Sequence, residues 1–328
     1  MTRNYTRRNW LKTLGIAGSV TAGVSLAGCS TQAPNNGEVY VTNQGSNTVS
    51  VIDSAAMEVQ TTIEVEKRPH FVAFSPDGSR AYVVNNGADI ITVIDTAARQ
   101  VMSTIDVGPN PLHTAISPSG NYAYTATGGT KEVRRIDLQK EMVDQKISVG
   151  TIAHVPAFSA DGSQLYIGGG ESQKTIVIDT EAGQILTEVQ IGPTTHVAEP
   201  SPDGSIIYAS SRGKDQVTVI DAASLEVSDT IDIGSGTHGI AFHPDGNYAY
   251  ATSESANVVS VIDTATKQVE EKISVGEIPH IVKVRPDGRY AYVTNIGSGS
   301  ISVIDLTTQQ RETDVEVGSM PTGVAVRP

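Results

Sequence analysis

The chain has 328 residues, of which 5% are aromatic, 18% are charged and 31 are glycine. Few aromatic residues, modest charge and abundant glycine favour an all-β protein with many tight turns. The formal net charge of −13 repels phosphate backbones and anionic membrane surfaces, so the composition excludes nucleic acid as an expected partner.

Residues 1–28 have the layout of an export signal. They hold four of the 23 basic residues and no acidic residue, and the apolar stretch over 14–28 is short for a membrane span. The run Thr-Arg-Arg-Asn-Trp-Leu-Lys at residues 6–12 resembles the twin-arginine signal, which is read by a receptor. We therefore expect residues 1–28 to be a cleaved signal peptide of the twin-arginine type.

Leu-Ala-Gly-Cys at residues 26–29 resembles a lipobox, which implies that Cys29 becomes the lipidated first residue of the mature protein. Cys29 is the single cysteine, so no intrachain disulfide can form. The alternative, a buried small hydrophobic residue, fits less well with the polar linker over 30–36. The implied diacyl anchor binds membranes firmly. We expect it to hold the protein on the outer face of the cytoplasmic membrane or on the periplasmic side.

An internal repeat spans the rest of the chain, residues 37–328. A segment close to Val-Ile-Asp recurs every 42 residues, and a tyrosine recurs in step with it. The aspartates are Asp53, Asp95, Asp137, Asp179, Asp221, Asp263 and Asp305. The tyrosines are Tyr40, Tyr82, Tyr124, Tyr166, Tyr208, Tyr250 and Tyr292. Seven copies without an insertion indicate one small structural unit repeated seven times.

Each unit predicts four short strands, typified by residues 70–75, 81–85, 49–53 and 59–65. A turn such as Ser-Pro-Asp-Gly at 75–78 joins the first two strands, because proline presets φ and glycine takes the positive φ. A four-stranded sheet has two apolar faces, and radial stacking buries both of them. The sequence therefore predicts an all-β, seven-bladed propeller of four-stranded antiparallel blades.

The chain begins with a second-type strand, at 38–43, and ends with a first-type strand, at 321–327. The last strand can therefore complete the first sheet, so that pairing of the N- and C-terminal strands closes the ring and removes both open edges. We expect such a closed ring to be a monomer.

Tyr-Val-Thr-Asn at 40–43 and 292–295, with Val-Ser-Val-Ile-Asp at 49–53 and 259–263, resembles the YVTN-type β-propeller repeat. Proteins with related propellers include surface-layer proteins, the haem-binding propeller of nitrite reductases and sugar lactonases. The resemblance implies the fold and leaves the function open.

Histidines recur where the first strand of a blade begins, at the loops expected on the top face of the central channel. His70, His154, His196, His238 and His280 share one repeat position, and His113 lies one residue later in its blade. Neutral imidazoles that converge on a cavity suit copper or zinc, so the first five are candidate metal ligands and His113 a candidate ligand-binding residue. The alternative is that duplication copied one structural histidine, which hydrogen-bonds a neighbouring carbonyl.

Departures from the repeat cannot be explained by duplication. Glu199 and Lys283 replace an alanine that recurs in the other five repeats, and we expect them on innermost strands one level below the histidines. There they can pair through a water or contact a ligand, because unpaired charges on a channel wall are costly. Arg135 replaces a recurrent valine on a third strand, where we expect a salt bridge between blades. The segment 128–131 is read as a turn.

Three functions are consistent with these features. The first is a non-enzymatic, lipid-anchored binding or scaffold module that takes a protein or small molecule at the top face of its channel. The second is a metal- or cofactor-binding protein of extracytoplasmic redox metabolism, using the histidines. The third, a lactonase-like hydrolase, rests on family analogy alone, so the sequence favours a protein that is not an enzyme and assigns no catalytic residue.

Overall fold

Short β-branched segments separated by tight turns give this chain its strands. The computed structural model describes residues 37–211, 215–234 and 236–328, and all 28 elements within these ranges are β-strands. In chain order they are β1 (Glu38–Asn43), β2 (Thr48–Asp53), β3 (Glu58–Glu64), β4 (Pro69–Phe74), β5 (Arg80–Asn85), β6 (Ile90–Asp95), β7 (Gln100–Asp106), β8 (Pro111–Ile116), β9 (Tyr122–Thr127), β10 (Glu132–Asp137), β11 (Met142–Ser148), β12 (Pro156–Phe158), β13 (Gln164–Gly168), β14 (Lys174–Asp179), β15 (Gln184–Gln190), β16 (Thr195–Pro200), β17 (Ile206–Ser211), β18 (Gln216–Asp221), β19 (Glu226–Asp232), β20 (Thr237–Phe242), β21 (Tyr248–Ser253), β22 (Val258–Asp263), β23 (Gln268–Ser274), β24 (Pro279–Val284), β25 (Tyr290–Asn295), β26 (Ser300–Asp305), β27 (Gln310–Glu316) and β28 (Pro321–Val326).

The strands form seven four-stranded antiparallel sheets, which are the blades of a propeller. Six sheets consist of four consecutive strands, from β4–β7 to β24–β27. The seventh has the order β28-β1-β2-β3, in which Val39 pairs with Val326 and Val41 pairs with Val324. The two ends of the described chain therefore close the ring in one sheet, which confirms the predicted fold class and blade number. All seven sheets are complete within residues 37–328, so the propeller needs no strand from the preceding segment.

Local hydrogen bonds explain why the turns recur. In the turn at 75–78, the Asp77 carboxylate accepts bonds from the Ser75 hydroxyl at 2.5 Å and the Ser79 amide at 3.0 Å. Asp53 likewise accepts bonds from the amides of Ala55 and Ala56, and each of the other six repeat aspartates accepts a bond from at least one amide of the turn that follows it. Aspartate favours turns because its side chain bonds its own downstream backbone in this way.

The core lies between neighbouring blades. Tyr40 and Val51 of the first sheet pack with Val72 and Val83 of the next, and all four side chains are buried. Each of the seven repeat tyrosines is no more than 3% exposed. Aromatic side chains bury a large area each, so the repeated tyrosine supplies much of the contact between sheets. Tyr40 also meets the Phe74 ring edge-on at 5.0 Å between centroids.

Arg135 corrects one sequence-based expectation. Its guanidinium makes two parallel bonds to Asp144, at 2.9 and 3.0 Å, and lies over the Tyr122 ring. Asp144 belongs to β11, the strand next to the arginine's own β10, so the salt bridge lies within one blade and not between blades. The reason is that a third-strand side chain reaches its sheet neighbour before it reaches the next blade.

The predicted signal peptide, the lipidated Cys29 and the linker over 30–36 lie outside the described residues. Within the part of the chain that is described, no helix has the length and apolar character needed to cross a membrane.

Candidate functional site

The innermost strand of each blade, β4, β8, β12, β16, β20, β24 or β28, lines the central channel. We call the channel end near the loops from fourth to first strands the upper end, and the end near the turns from first to second strands the lower end. Four of these strands shift register with their neighbour at the histidine, between Pro69 and Phe71 in β4 for example. Such bulges redirect a side chain, so the repeat positions the imidazoles as well as supplying them.

All six histidines meet at the upper end in one continuous arc. His113 and His70 lie 4.9 Å apart between ring centroids, and His70 and His280 lie 6.2 Å apart. The arc continues from His280 to His238 at 3.9 Å, from His238 to His196 at 4.6 Å and from His196 to His154 at 4.3 Å. The structure thus brings together every histidine that the sequence placed at the channel mouth.

Backbone carbonyls hold two of the imidazoles in a defined tautomer. The Nδ1–H of His70 donates to the Leu112 carbonyl at 3.0 Å, and that of His280 donates to the Thr322 carbonyl at 2.8 Å. Both acceptors belong to the next blade in the ring. This assignment leaves the lone pair of each ring on Nε2, the arrangement by which a second contact orients a metal-binding histidine. The contact also matches the structural role that the sequence allowed for these residues.

Hydroxyl groups on the second strands fix the histidine backbone. The Thr252 hydroxyl accepts a bond from the Gly239 amide at 2.8 Å and donates to the His280 carbonyl at 2.9 Å, which links adjacent blades. Gly239 permits this close approach, because a Cβ there would lie 2.6 Å from the His280 carbonyl oxygen. The close approach of the strands that carry His238 and His280 therefore requires glycine at position 239.

The environment of the arc favours the neutral form of four imidazoles, those of His70, His113, His154 and His238. Burial, and after it the neighbouring His280, lowers the pKa of His70 to about 3. Burial and adjacent imidazoles also hold the pKa of His113 and of His238 well below the usual value, and burial lowers the pKa of His154. Removing a group from water disfavours its charged form. Neutral imidazole is the form that binds a metal ion.

A carboxylate that the sequence analysis missed joins the upper end. Glu254 follows β21, and one ligand atom from each of His238, Glu254 and His280 lies within 4.8 Å of the other two. The sequence held a signal for it, since this repeat position is Gln44, Asn86, Gly128, Gly170 and Ile296 in other blades. A position whose residue differs from blade to blade is not required by the repeated structure, so it can carry a function. The Nδ1 atom of His238 is buried and has no hydrogen-bond partner among the described residues.

Glu199 and Lys283 lie in the lower half of the channel. The Nζ atom of Lys283 is 3.6 Å from Oε1 of Glu199, so the two charges pair directly across the intervening blade. Both line a cavity of about 450 Å³ whose rim carries exposed prolines such as Pro76 and Pro118 of the first-to-second-strand turns. They therefore face away from the top face, where the sequence analysis had placed ligand binding.

Apolar side chains separate the two halves of the channel. Phe71, Val155, Val197 and Ile281 each directly follow a histidine of the arc and are buried. All four also line a small void beside the Glu199–Lys283 pair. The molecule accordingly offers two distinct candidate sites, an imidazole-rich upper one and a charged, apolar-walled lower one.

The fold and these sites define a closed seven-bladed propeller with a histidine-lined channel. The chain belongs to the YNCE-like β-propeller family, whose model matches residues 9–327. This result bears out the resemblance to YVTN-type repeats, a closely related group. No curated protein sequence matches the chain.

Several solved structures share the fold. A protein of unknown function from Desulfotomaculum acetoxidans superposes with a TM-score of 0.77 at 14% identity, over 88% of this chain and 98% of the other. Hydrazine synthase of Kuenenia stuttgartiensis gives 0.71 at 21% identity, over 78% and 88%. The dihydro-heme d1 dehydrogenase NirN in complex with DHE gives 0.71 at 16% identity, over 90% and 76%. Identities of 14–21% establish a shared fold alone.

Proposed function

We propose that this chain is an exported, lipid-anchored binding module that holds a divalent transition-metal ion at the upper end of its channel. The observation that carries the proposal is the convergence of His238, His280 and Glu254 within an arc of six imidazoles. Two imidazoles and a carboxylate form a donor set that zinc and copper accept, with a position left for a further ligand.

The chemistry of the three donors fits a metal ion. The pKa of His238 is well below its usual value, so its lone pair is available at neutral pH. The Nδ1–H bond from His280 to Thr322 fixes the ring that would present Nε2. The three ligand atoms lie within 4.8 Å of one another, and tetrahedral metal–ligand bonds of about 2 Å hold ligand atoms roughly 3.3 Å apart. Binding would therefore draw the three side chains together by at most about 1.5 Å.

The location of the ion at a channel mouth supports a role in binding instead of in stabilising the fold. The seven sheets close without it, and Glu254 lies at a position that differs from blade to blade. A shared fold with NirN, which was solved in complex with DHE, is consistent with ligand binding by such a propeller. The lipid anchor on Cys29, expected from the sequence, would keep the site at the cell surface; loss of membrane association in Cys29→Ala tests that part.

Calorimetric titration of chelator-treated protein with Zn²⁺ or Cu²⁺ tests the metal proposal. We expect one bound ion, and affinity reduced by at least about tenfold in His238→Ala and in Glu254→Gln, since each change removes a ligand. His243→Ala is the matched control. This histidine lies in a lower turn, where its Nε2 contacts the Gly288 carbonyl at 2.9 Å, and its loss should leave affinity unchanged. Absence of binding, or equal affinity in all variants, would refute the proposal.

A further inference from the structure

The lower cavity is walled mainly by apolar groups, and the charged side chains that line it, Glu199 and Lys283, lie at its inner end. Phe74, Ile116 and Phe158 line its sides, and the repeat alanines leave its centre open. Its volume of about 450 Å³ falls in the range of small-molecule sites. Exposed prolines form its rim, so the cavity is reached from the face opposite the imidazole arc.

The two charges at the inner end have unused hydrogen-bonding capacity. Their only contact with each other is at 3.6 Å, longer than a charge-assisted hydrogen bond of about 2.7–2.9 Å. Among the described residues, the ammonium of Lys283 and the carboxylate of Glu199 make no interaction other than this ion pair. Their side chains keep 32% and 22% of their surface exposed toward the cavity. An ion pair selected for stability would be expected to satisfy these groups.

The arrangement selects a ligand by charge and by size. A ligand with a single charge would be attracted by one of Glu199 and Lys283 and repelled by the other, and this repulsion weakens binding. A neutral zwitterion laid antiparallel to the pair meets each charge with its opposite. In an α-amino acid the ammonium and the carboxylate are joined through a single carbon, so their separation suits two protein charges in near contact. The apolar walls then require an apolar side chain.

We infer that the lower cavity binds a small apolar α-amino acid, with the ligand's ammonium against Glu199 and its carboxylate against Lys283. The side chain of the ligand points toward the rim between Phe74 and Phe158. This site does not depend on the metal proposed for the upper end, because buried apolar residues separate the two.

Calorimetry with L-phenylalanine and L-leucine as probes, in the presence of chelator, tests the inference. Both probes should bind. 3-Phenylpropionate, which lacks the ammonium, and 2-phenylethylamine, which lacks the carboxylate, should each bind at least about tenfold more weakly than L-phenylalanine. Failure of both amino acids to bind, or binding of either analogue as tight as that of L-phenylalanine, would overturn it.

Two variants locate the binding. Glu199→Ala/Lys283→Ala restores the residue that the other repeats carry, and should weaken L-phenylalanine by at least about tenfold. Ala115→Leu fills the cavity and keeps both charges, and should also weaken binding. Lys267→Ala/Asp229→Ala removes an exposed ion pair at 3.1 Å between the turn before β23 and strand β19, and should bind as the unaltered chain does. Unchanged affinity in the first variant would show that the probe binds elsewhere.

Discussion

The two ends of the channel were built differently. The upper end carries a residue type that recurs from blade to blade; four of its six imidazoles are buried, neighbouring rings lie 3.9–6.2 Å apart, and two donate to backbone carbonyls. The lower end carries alanine in five repeats and two opposite charges in the others, beside an open cavity. The repeated histidines take part in contacts that hold the blades together, whereas Glu199 and Lys283 replace the repeat residue at a place where the fold does not require them.

The largest expected difference between the ends is in pH dependence. An imidazole whose pKa is lowered on folding contributes stability above the unfolded value of about 6.5, and this is lost as pH falls toward the folded value, about 3 for His70. At pH 5 the shift of His70 should cost about 2 kcal/mol, and the lowered pKa values of His113 and His238 should add to this loss. Urea unfolding of chelator-treated protein between pH 7.5 and 4.5 measures this loss.

The variant His113→Leu shows how much of the loss of stability at low pH comes from the imidazole arc and how much from other titrating groups. Leucine suits a level where other blades carry Phe71 or Val155, so the variant should fold and show a shallower loss of stability with falling pH. The turn aspartates Asp77 and Asp161, with pKa values of about 2, act in a separate window below about pH 4. Identical pH slopes for the variant and the original would contradict the assignment.

An intermediate effect is expected from crowding the upper end. In Gly239→Ala the new Cβ meets backbone at 2.6–3.0 Å, which cannot move away as a flexible side chain can. We expect a loss of about 1–3 kcal/mol in the free energy of unfolding, measured with urea. In Gly246→Ala at a lower turn the Cβ meets nothing within 4 Å, so only the strain of φ +77° remains, about 1 kcal/mol. A larger loss of unfolding free energy in Gly246→Ala than in Gly239→Ala would contradict this expectation.

The smallest effect on stability is expected from Glu199→Ala/Lys283→Ala at the lower end. A partly exposed pair at 3.6 Å contributes little, so the free energy of unfolding should change by less than about 1 kcal/mol. Urea unfolding beside the unaltered chain measures it. A loss well above this value would mean that the pair supports the fold and would weaken the case for a ligand.

Much of the architecture followed from spacing. The period of 42 residues predicted the blades, and the predicted strands agree with the observed ones to within about one residue, as with 81–85 against Arg80–Asn85. Five of the six histidines share a repeat position, which is why the spacing alone predicted that they converge at one channel end. Arg135 and Glu254 were not placed, because their partners belong to neighbouring strands and loops whose side-chain directions no periodicity encodes.

The sequence alone determined how many sheets form, which strands pair and where the ring closes, because these depend on backbone hydrogen bonds that recur with the repeat. Only the tertiary structure decided which side chains meet: Glu254 beside His238 and His280, Glu199 directly on Lys283, and apolar residues dividing the channel. Such contacts join residues from different blades, and their distances are set by the packing of whole sheets against each other.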